Sequence, residues 1–214
     1  MRRKREMMGL PACVLAMAGC AAVKAPMLPG GKVPLPEQVG DVRVADLTDA
    51  NRMVVKHVHV DAPREEVFAY LIDFESMPDW FPGLNKVSVD NRESANGPEQ
   101  IGVGTLRACE LTGASVAERV VHYDRPNAFA YTITSKDGPA IPVTKGTGLV
   151  TLTPTRDGGT DVEYRVFYET NPWHPMSPVF PVAMGRQLGE GLANLGEHFA
   201  TQNIASKPPK SRVF

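Results

Sequence analysis

The side chains best suited to chemistry in this 214-residue chain are tyrosines that alternate with apolar residues. In the run 160–169, Val162, Tyr164, Val166 and Tyr168 share one face of an extended strand, whereas Glu163, Arg165 and Glu169 share the other with Phe167. The same alternation sets Tyr131 between Phe129 and Ile133. Three inward hydroxyls in an apolar setting suit the orientation of a carbonyl or hydroxyl on a bound molecule. They equally suit core rings whose hydroxyls are satisfied by their neighbours. In 103–112 and 115–123 both faces carry apolar residues, so parity does not assign Arg107, Glu110, Arg119, His122 or Tyr123. Were the chain an enzyme, the acid or base near a substrate carbonyl would come from Tyr131, Tyr164, Tyr168, Arg107 and His122.

Other constellations are incomplete. His57 and His59 share a strand face but have no Cys or third ligand nearby in sequence, and Val58 and Val60 occupy the opposite, inward face. The five histidines therefore do not make a metal site by spacing. Gly113-Ala114-Ser115-Val116-Ala117 approximates a nucleophile elbow, yet lacks its last glycine and lies between two strands rather than before a helix. Gly102-Val103-Gly104 and Gly146-Thr147-Gly148 lack the third glycine and following helix of a dinucleotide loop. Neither a metal nor a cofactor is expected, and no catalytic set is recognisable.

The elements that must hold these residues follow the order strand, helix, several strands, helix. Met53 to Val60 is rich in β-branched residues and ends at Asp61-Ala62-Pro63, where Asp61 is suited to cap a helix with Pro63 in its first turn and Glu65 and Glu66 on the dipole. Val67, Phe68, Leu71 and Ile72 share one helical face, and Phe74, Met77, Trp80 and Phe81 suggest a short second helix stopped at Pro82-Gly83. Strand-like runs follow at 84–90, 102–112, 115–123, 128–135, 143–153 and 160–169, and their short links imply an antiparallel meander. In the last helix Met184, Leu188, Leu192, Leu195 and Phe199 make an apolar stripe, with Gly185, Gly189 and Gly196 on an adjoining one. Each interior glycine costs about 1 kcal/mol relative to alanine. Two reasons compete: close packing on a strand, or space beside Gly189 and Leu192 for a ligand. Trp173 and His174, in the loop 172–178, read as an exposed loop or as a lid.

Composition is that of an ordinary globular protein: 43% hydrophobic, 22% charged, net charge −1. The charge is uneven, since Arg2, Arg3, Lys4, Arg5 and Glu6 put +3 on the first twenty residues and leave −4 on the rest. That argues against a nucleic-acid partner. The basic start, the mostly apolar run 7–17 and the small residues that follow are the layout of a secretory signal over 1–19. Ala18-Gly19-Cys20 resembles a bacterial lipobox in which Cys20 is lipidated, although Met17 departs from it; Ala16 and Ala18 offer an ordinary cleavage site instead. Cys109 would then be the one unmodified thiol of the mature chain, and no internal disulfide is expected. The Pro- and Gly-rich stretch reads as a tether over 20–51, followed by a folded unit at 52–204 and a polar tail at 205–214. The expected location is the cell envelope, facing the periplasm; Ala21 after the cysteine favours the outer membrane over the inner.

Val60-Asp61-Ala62-Pro63 with Glu66-Val67-Phe68, then Pro78-Asp79-Trp80-Phe81-Pro82, Gly104-Thr105, Glu118-Arg119-Val120 and Asp124-Arg125-Pro126 with Tyr131 resemble the polyketide cyclase/dehydrase branch of the SRPBCC (START-like) superfamily. The resemblance implies an α+β helix-grip fold, with a curved antiparallel sheet of about seven strands around the last helix and a largely apolar cavity, with Trp80 and Phe81 at its edge. The superfamily includes lipid carriers, aromatic-ring cyclases, hydroxylase domains and co-chaperones, so the fold does not select a function. The expected function is an exported, membrane-tethered carrier of a small hydrophobic molecule or lipid, with Tyr131, Tyr164, Tyr168, Trp80, Arg107, Gly189 and Leu192 at the ligand. The alternatives are a cyclase or dehydratase acting on a polyketide-like or aromatic substrate, and an envelope interaction module without a ligand.

Overall fold

The computed structural model describes residues 35–139 and 141–206. The signal at 1–19, the lipidation site Cys20, the first part of the tether and the tail from 207 onward lie outside the described residues. Nine strands and three α-helices follow in chain order: β1 (Gln38–Val39), β2 (Val42–Arg43), α1 (Val44–Leu47), β3 (Arg52–Val60), α2 (Arg64–Ile72), a 3-10 segment Phe74–Asp79, β4 (Leu84–Asp90), β5 (Leu106–Leu111), β6 (Ala114–Asp124), β7 (Ala128–Asp137), β8 (Val143–Pro154), β9 (Thr160–Thr170) and α3 (Phe180–Ser206). Strands β3 to β9 form one antiparallel sheet in the order β3-β9-β8-β7-β6-β5-β4. The meander read from the turn signals is present, and β3 pairs with β9 along its whole length, so the first and last long strands are neighbours. The sheet curves around α3, which at 27 residues runs roughly 40 Å. This is the expected helix-grip arrangement.

Local chemistry sets most boundaries. Helix α2 starts one residue after Pro63, which takes the N-cap position without a side-chain cap; Asp61 does not fill that role, because the chain bends at 61–62 and the Pro63 carbonyl accepts from the Glu66 and Val67 amides. The strand-like run 102–112 is shorter than expected, since Gly104, at φ +97° and packed against the Glu93 carbonyl, turns the chain before β5 begins. In β6, Val120 pairs with Tyr131 but His122 pairs with Ala130, so one extra residue is inserted at Val121. Glu118 and Val120 face the concave side before this bulge and Tyr123 after it. A bulge shifts the two-residue period by one, which is why alternation gave no assignment in this strand.

Two cores result. The concave side holds Phe68, Leu71, Phe74, Phe129, Val150, Leu188 and Leu195 with their neighbours. The convex side holds a smaller core in which Val39, Val42, Val44 and Ala50 cover Ala128, Ala130, Leu149 and Phe167. This corrects the tether boundary at 51: residues 38–47 form a hairpin and a helical turn, with Gly40 at φ +57° in the hairpin loop. The segment is folded because three valines cover apolar convex-face residues otherwise left in water. It also accounts for Phe167, the apolar residue on a charged face, which is fully buried.

Gly185, Gly189 and Gly196 of α3 face β3. A methyl on Gly185 would meet Val54 Cγ1 at 3.6 Å, one on Gly189 would meet Lys56 Cε at 3.9 Å, and one on Gly196 would meet Val58 Cγ2 at 3.4 Å. The stripe is thus a packing surface on a strand. At Gly189 the contact is an ordinary one, so Gly189→Ala is expected to stabilise the fold by about 1 kcal/mol through helix propensity alone. Gly191→Ala, whose methyl would come 3.1 Å from Phe81 Cδ2, should gain less, and urea unfolding of the two variants reads the difference.

Candidate ligand-binding cavity

A cavity of about 310 Å³ lies between the concave face of the sheet and the first half of α3. Its walls are mostly apolar, with Leu84, Val116, Ile133, Val166, Met184 and Leu188 among them. Its titratable groups come from four strands. Arg107 and Cys109 project from β5, Glu118 from β6, Tyr131 from β7, and Tyr164 and Tyr168 from β9.

Arg107 is 3% exposed. It sits directly opposite Glu118 in the β5–β6 hairpin and donates Nε–H to Glu118 Oε2 at 2.6 Å. Its Nη1 points at Met77 Sδ at 3.7 Å, and its guanidinium carbon lies 3.8 Å from the Tyr131 ring centroid and 4.6 Å from that of Phe74. Burial lowers the Arg107 pKa, but the Glu118 carboxylate acting together with Tyr131, Tyr164 and Cys109 outweighs it and holds the value above the ordinary one. The Cys109 thiol, 3.6 Å from the same Glu118 oxygen, is pushed up to about 12 by burial and then by the Glu118 charge.

The hydroxyls of Tyr131 and Tyr164 are hydrogen-bonded to each other. Two glycines make this possible. Tyr131 pairs across the sheet with Gly148 on β8, and a methyl there would overlap the Tyr131 ring; one on Gly146 would overlap Ile133. The bare backbone at 146 and 148 lets Tyr131 lie across β8 toward Tyr164 on the far side. Gly146-Thr147-Gly148 is thus a close-approach strip within a strand. Burial raises the Tyr131 pKa well above the usual tyrosine value and that of Tyr164 to about 12, despite the nearby Arg107 charge. Tyr168, stacked edge-on with Phe180 at 5.0 Å between centroids, is raised too, by partial burial.

Four of the seven expected ligand residues therefore line the cavity: Arg107, Tyr131, Tyr164 and Tyr168. Trp80 does not; it is 3% exposed, packs edge-on against Phe81, and belongs to the core beneath α3. Gly189 faces β3 and Leu192 is buried in the core, both beyond the helical stretch that walls the cavity. His122 is also absent from the lining, displaced by the bulge at Val121. Sequence reasoning missed Glu118 and Cys109 as cavity groups. The signal was the tight turn at Thr112-Gly113, because a hairpin centred there sets Arg107 opposite Glu118. His57 and His59 are exposed on the other face of the sheet, His59 hydrogen-bonded to Asp161 at 2.8 Å, which raises its pKa. Among the described residues no three of His, Cys, Asp or Glu are grouped to hold a metal.

The architecture is that of a START-like, hydrophobic-ligand-binding fold. The chain belongs to the polyketide cyclase / dehydrase and lipid transport family, whose pattern matches residues 52–200. It is similar in fold to a START superfamily protein from Mycobacterium smegmatis (19% identity, TM-score 0.57, 71% of this chain and 98% of that one). It is also similar to XoxI from Bacillus cereus (17%, 0.55, 71% and 97%) and a protein from Thermus thermophilus (17%, 0.55, 72% and 99%). A comparison with curated proteins finds no significant match.

Glu118→Leu leaves Arg107 buried without its partner and is expected to cost about 3–5 kcal/mol, whereas Arg107→Met/Glu118→Leu should recover most of that loss in denaturant unfolding. At pH 8 a thiol with a pKa near 12 is roughly one ten-thousandth thiolate, so iodoacetamide should spare Cys109 in the folded chain, as read by peptide mass mapping. Glu118→Gln removes the charge that raises the thiol pKa and leaves Arg107, which lowers it, so alkylation of Cys109 should accelerate.

Proposed function

We propose that this protein is an exported, membrane-tethered binding protein or carrier for a compact hydrophobic molecule that bears a neutral polar group such as a carbonyl or hydroxyl. The observation that carries the reading is the state of the polar groups in the cavity. Arg107 is matched by Glu118, the Tyr131 and Tyr164 hydroxyls are matched to each other, and the thiol is held protonated. Such a set offers hydrogen bonds to a guest but no free base and no activated nucleophile. With the arginine charge paired, the cavity has no net charge to attract a carboxylate or phosphate. Its volume of about 310 Å³ stands at the lower end of the small-molecule range, which suits one compact molecule better than a two-chain lipid. Export and tethering rest on the layout of residues 1–34: a basic start, a short apolar run, Cys20 in a lipobox-like setting and a Pro- and Gly-rich stretch. The reading makes the protein an envelope lipoprotein of the outer membrane, facing the periplasm.

Native mass spectrometry of the full chain, purified in detergent from the envelope of a bacterial host, tests this. The expected result is one uncharged apolar compound per chain, released on denaturation, together with a lipid-modified Cys20. A chain that is empty, takes up no apolar dye and turns over β-polyketone substrates would replace this reading with the cyclase or dehydratase one.

A further inference from the structure

The described residues include five large hydrophobic side chains that are exposed, and four of them lie within ten positions: Trp173 at 91%, Met176 at 43%, Val179 at 48% and Val182 at 75%. They recur every third residue, and each directly follows a proline, at 172, 175, 178 and 181. The backbone explains the spacing. Amides of His174, Ser177, Val179 and Val182 each donate to the carbonyl three residues earlier, so the segment is a series of four-residue turns that leads into α3. The prolines restrict the backbone of this segment, so little conformational entropy is lost when its apolar row is covered.

This row meets the cavity at Met176. Met176, Phe180 and Ala183 line it, and the His174 ring donates to the Pro139 carbonyl at 2.8 Å, which joins the row to the β7–β8 loop on the other side. The stretches 111–117, 138–144 and 171–185 all contribute lining residues. In a chain that is 22% charged, none of the three contains a Lys, Arg, Asp or Glu.

We propose that this rim docks on the interfacial layer of a neutral lipid bilayer, with Trp173 as its anchor and Met176, Val179 and Val182 beside it. The inference builds on the ligand-binding reading, since the mouth would then face the lipid and the guest would pass between bilayer and cavity without crossing water. An exposed tryptophan with aliphatic neighbours suits the membrane interface, and Lys136, whose Nζ donates to the Ile141 carbonyl at 3.0 Å, puts a lysine beside the rim rather than the basic cluster that selects anionic lipids. A second protein copy fits less well. Even at about 250 Å² for a fully exposed tryptophan, four side chains, two of them about half covered, fall short of the about 800 Å² per partner of a stable interface.

The test uses the full chain with phosphatidylcholine vesicles and reads Trp173 alone, as wild type minus Trp173→Phe; the other tryptophan, Trp80, is buried. Vesicles should shift the Trp173 emission to the blue, and bromine-labelled lipid should quench it by about twofold or more, as expected for a ring at the interface. High salt should leave both effects unchanged. The proposal is overturned if Trp173 on vesicle-bound protein stays open to aqueous iodide, or if it becomes shielded with rising protein concentration in the absence of lipid. Dye uptake without vesicles keeps the two readings apart. A wet Trp173 with normal uptake overturns the docking proposal alone, whereas an embedded Trp173 with no uptake supports docking and counts against the ligand reading.

Discussion

A guanidinium inside an apolar sheet is tolerated only if something nearby carries the opposite charge and the remaining hydrogen-bonding groups find partners. Arg107 meets that constraint through Glu118 on the neighbouring strand, and much of the interior is arranged around the pair. Phe74 and Tyr131 cover the faces of the guanidinium, Met77 receives one of its nitrogens, and Cys109 donates to the same carboxylate. Tyr131 lies at this distance because Gly148 has no side chain to hold it off, and from there its hydroxyl meets that of Tyr164. One buried charge thereby connects strands β5, β6, β7 and β9 and sets the polar end of an otherwise apolar chamber.

The second constraint is on the edge of the sheet. Strand β3 pairs with β9 on one side and receives the glycine stripe of α3 on its inner face, with Lys56 and the two valines Val54 and Val58 against Gly185, Gly189 and Gly196. The far half of the helix is committed to core packing through Leu192, Leu195 and Phe199, which leaves the near half, up to Leu188, to wall the cavity. The chamber thus lies against the start of α3, where the proline-punctuated turns end. On the convex side, Val39, Val42 and Val44 close a small outer core over Phe167, so the segment before β3 is part of the fold.

The family match and the solved structures agree on the fold, but identities below 25% carry no residue roles. The proposed binding role rests on the cavity itself: paired ionic groups, protonated hydroxyls and thiol, and a modest volume. Those features favour holding a molecule over transforming it.

Sequence alone determined what depends on near neighbours along the chain. Alternation in 128–135 and 160–169 set Tyr131, Tyr164 and Tyr168 inward, the turn signals marked the meander, and the spacing of Met184, Leu188, Leu192, Leu195 and Phe199 marked the inner face of the last helix. These follow from backbone periods of two and 3.6 residues, which are local properties. Only the tertiary structure decided that Trp80 and Leu192 fill core, that the glycine stripe meets a strand, that Val121 is an inserted bulge residue, and that 38–47 covers the sheet. Each of these turns on which distant segment fills the space beside a residue, and spacing along one strand or helix does not contain that information.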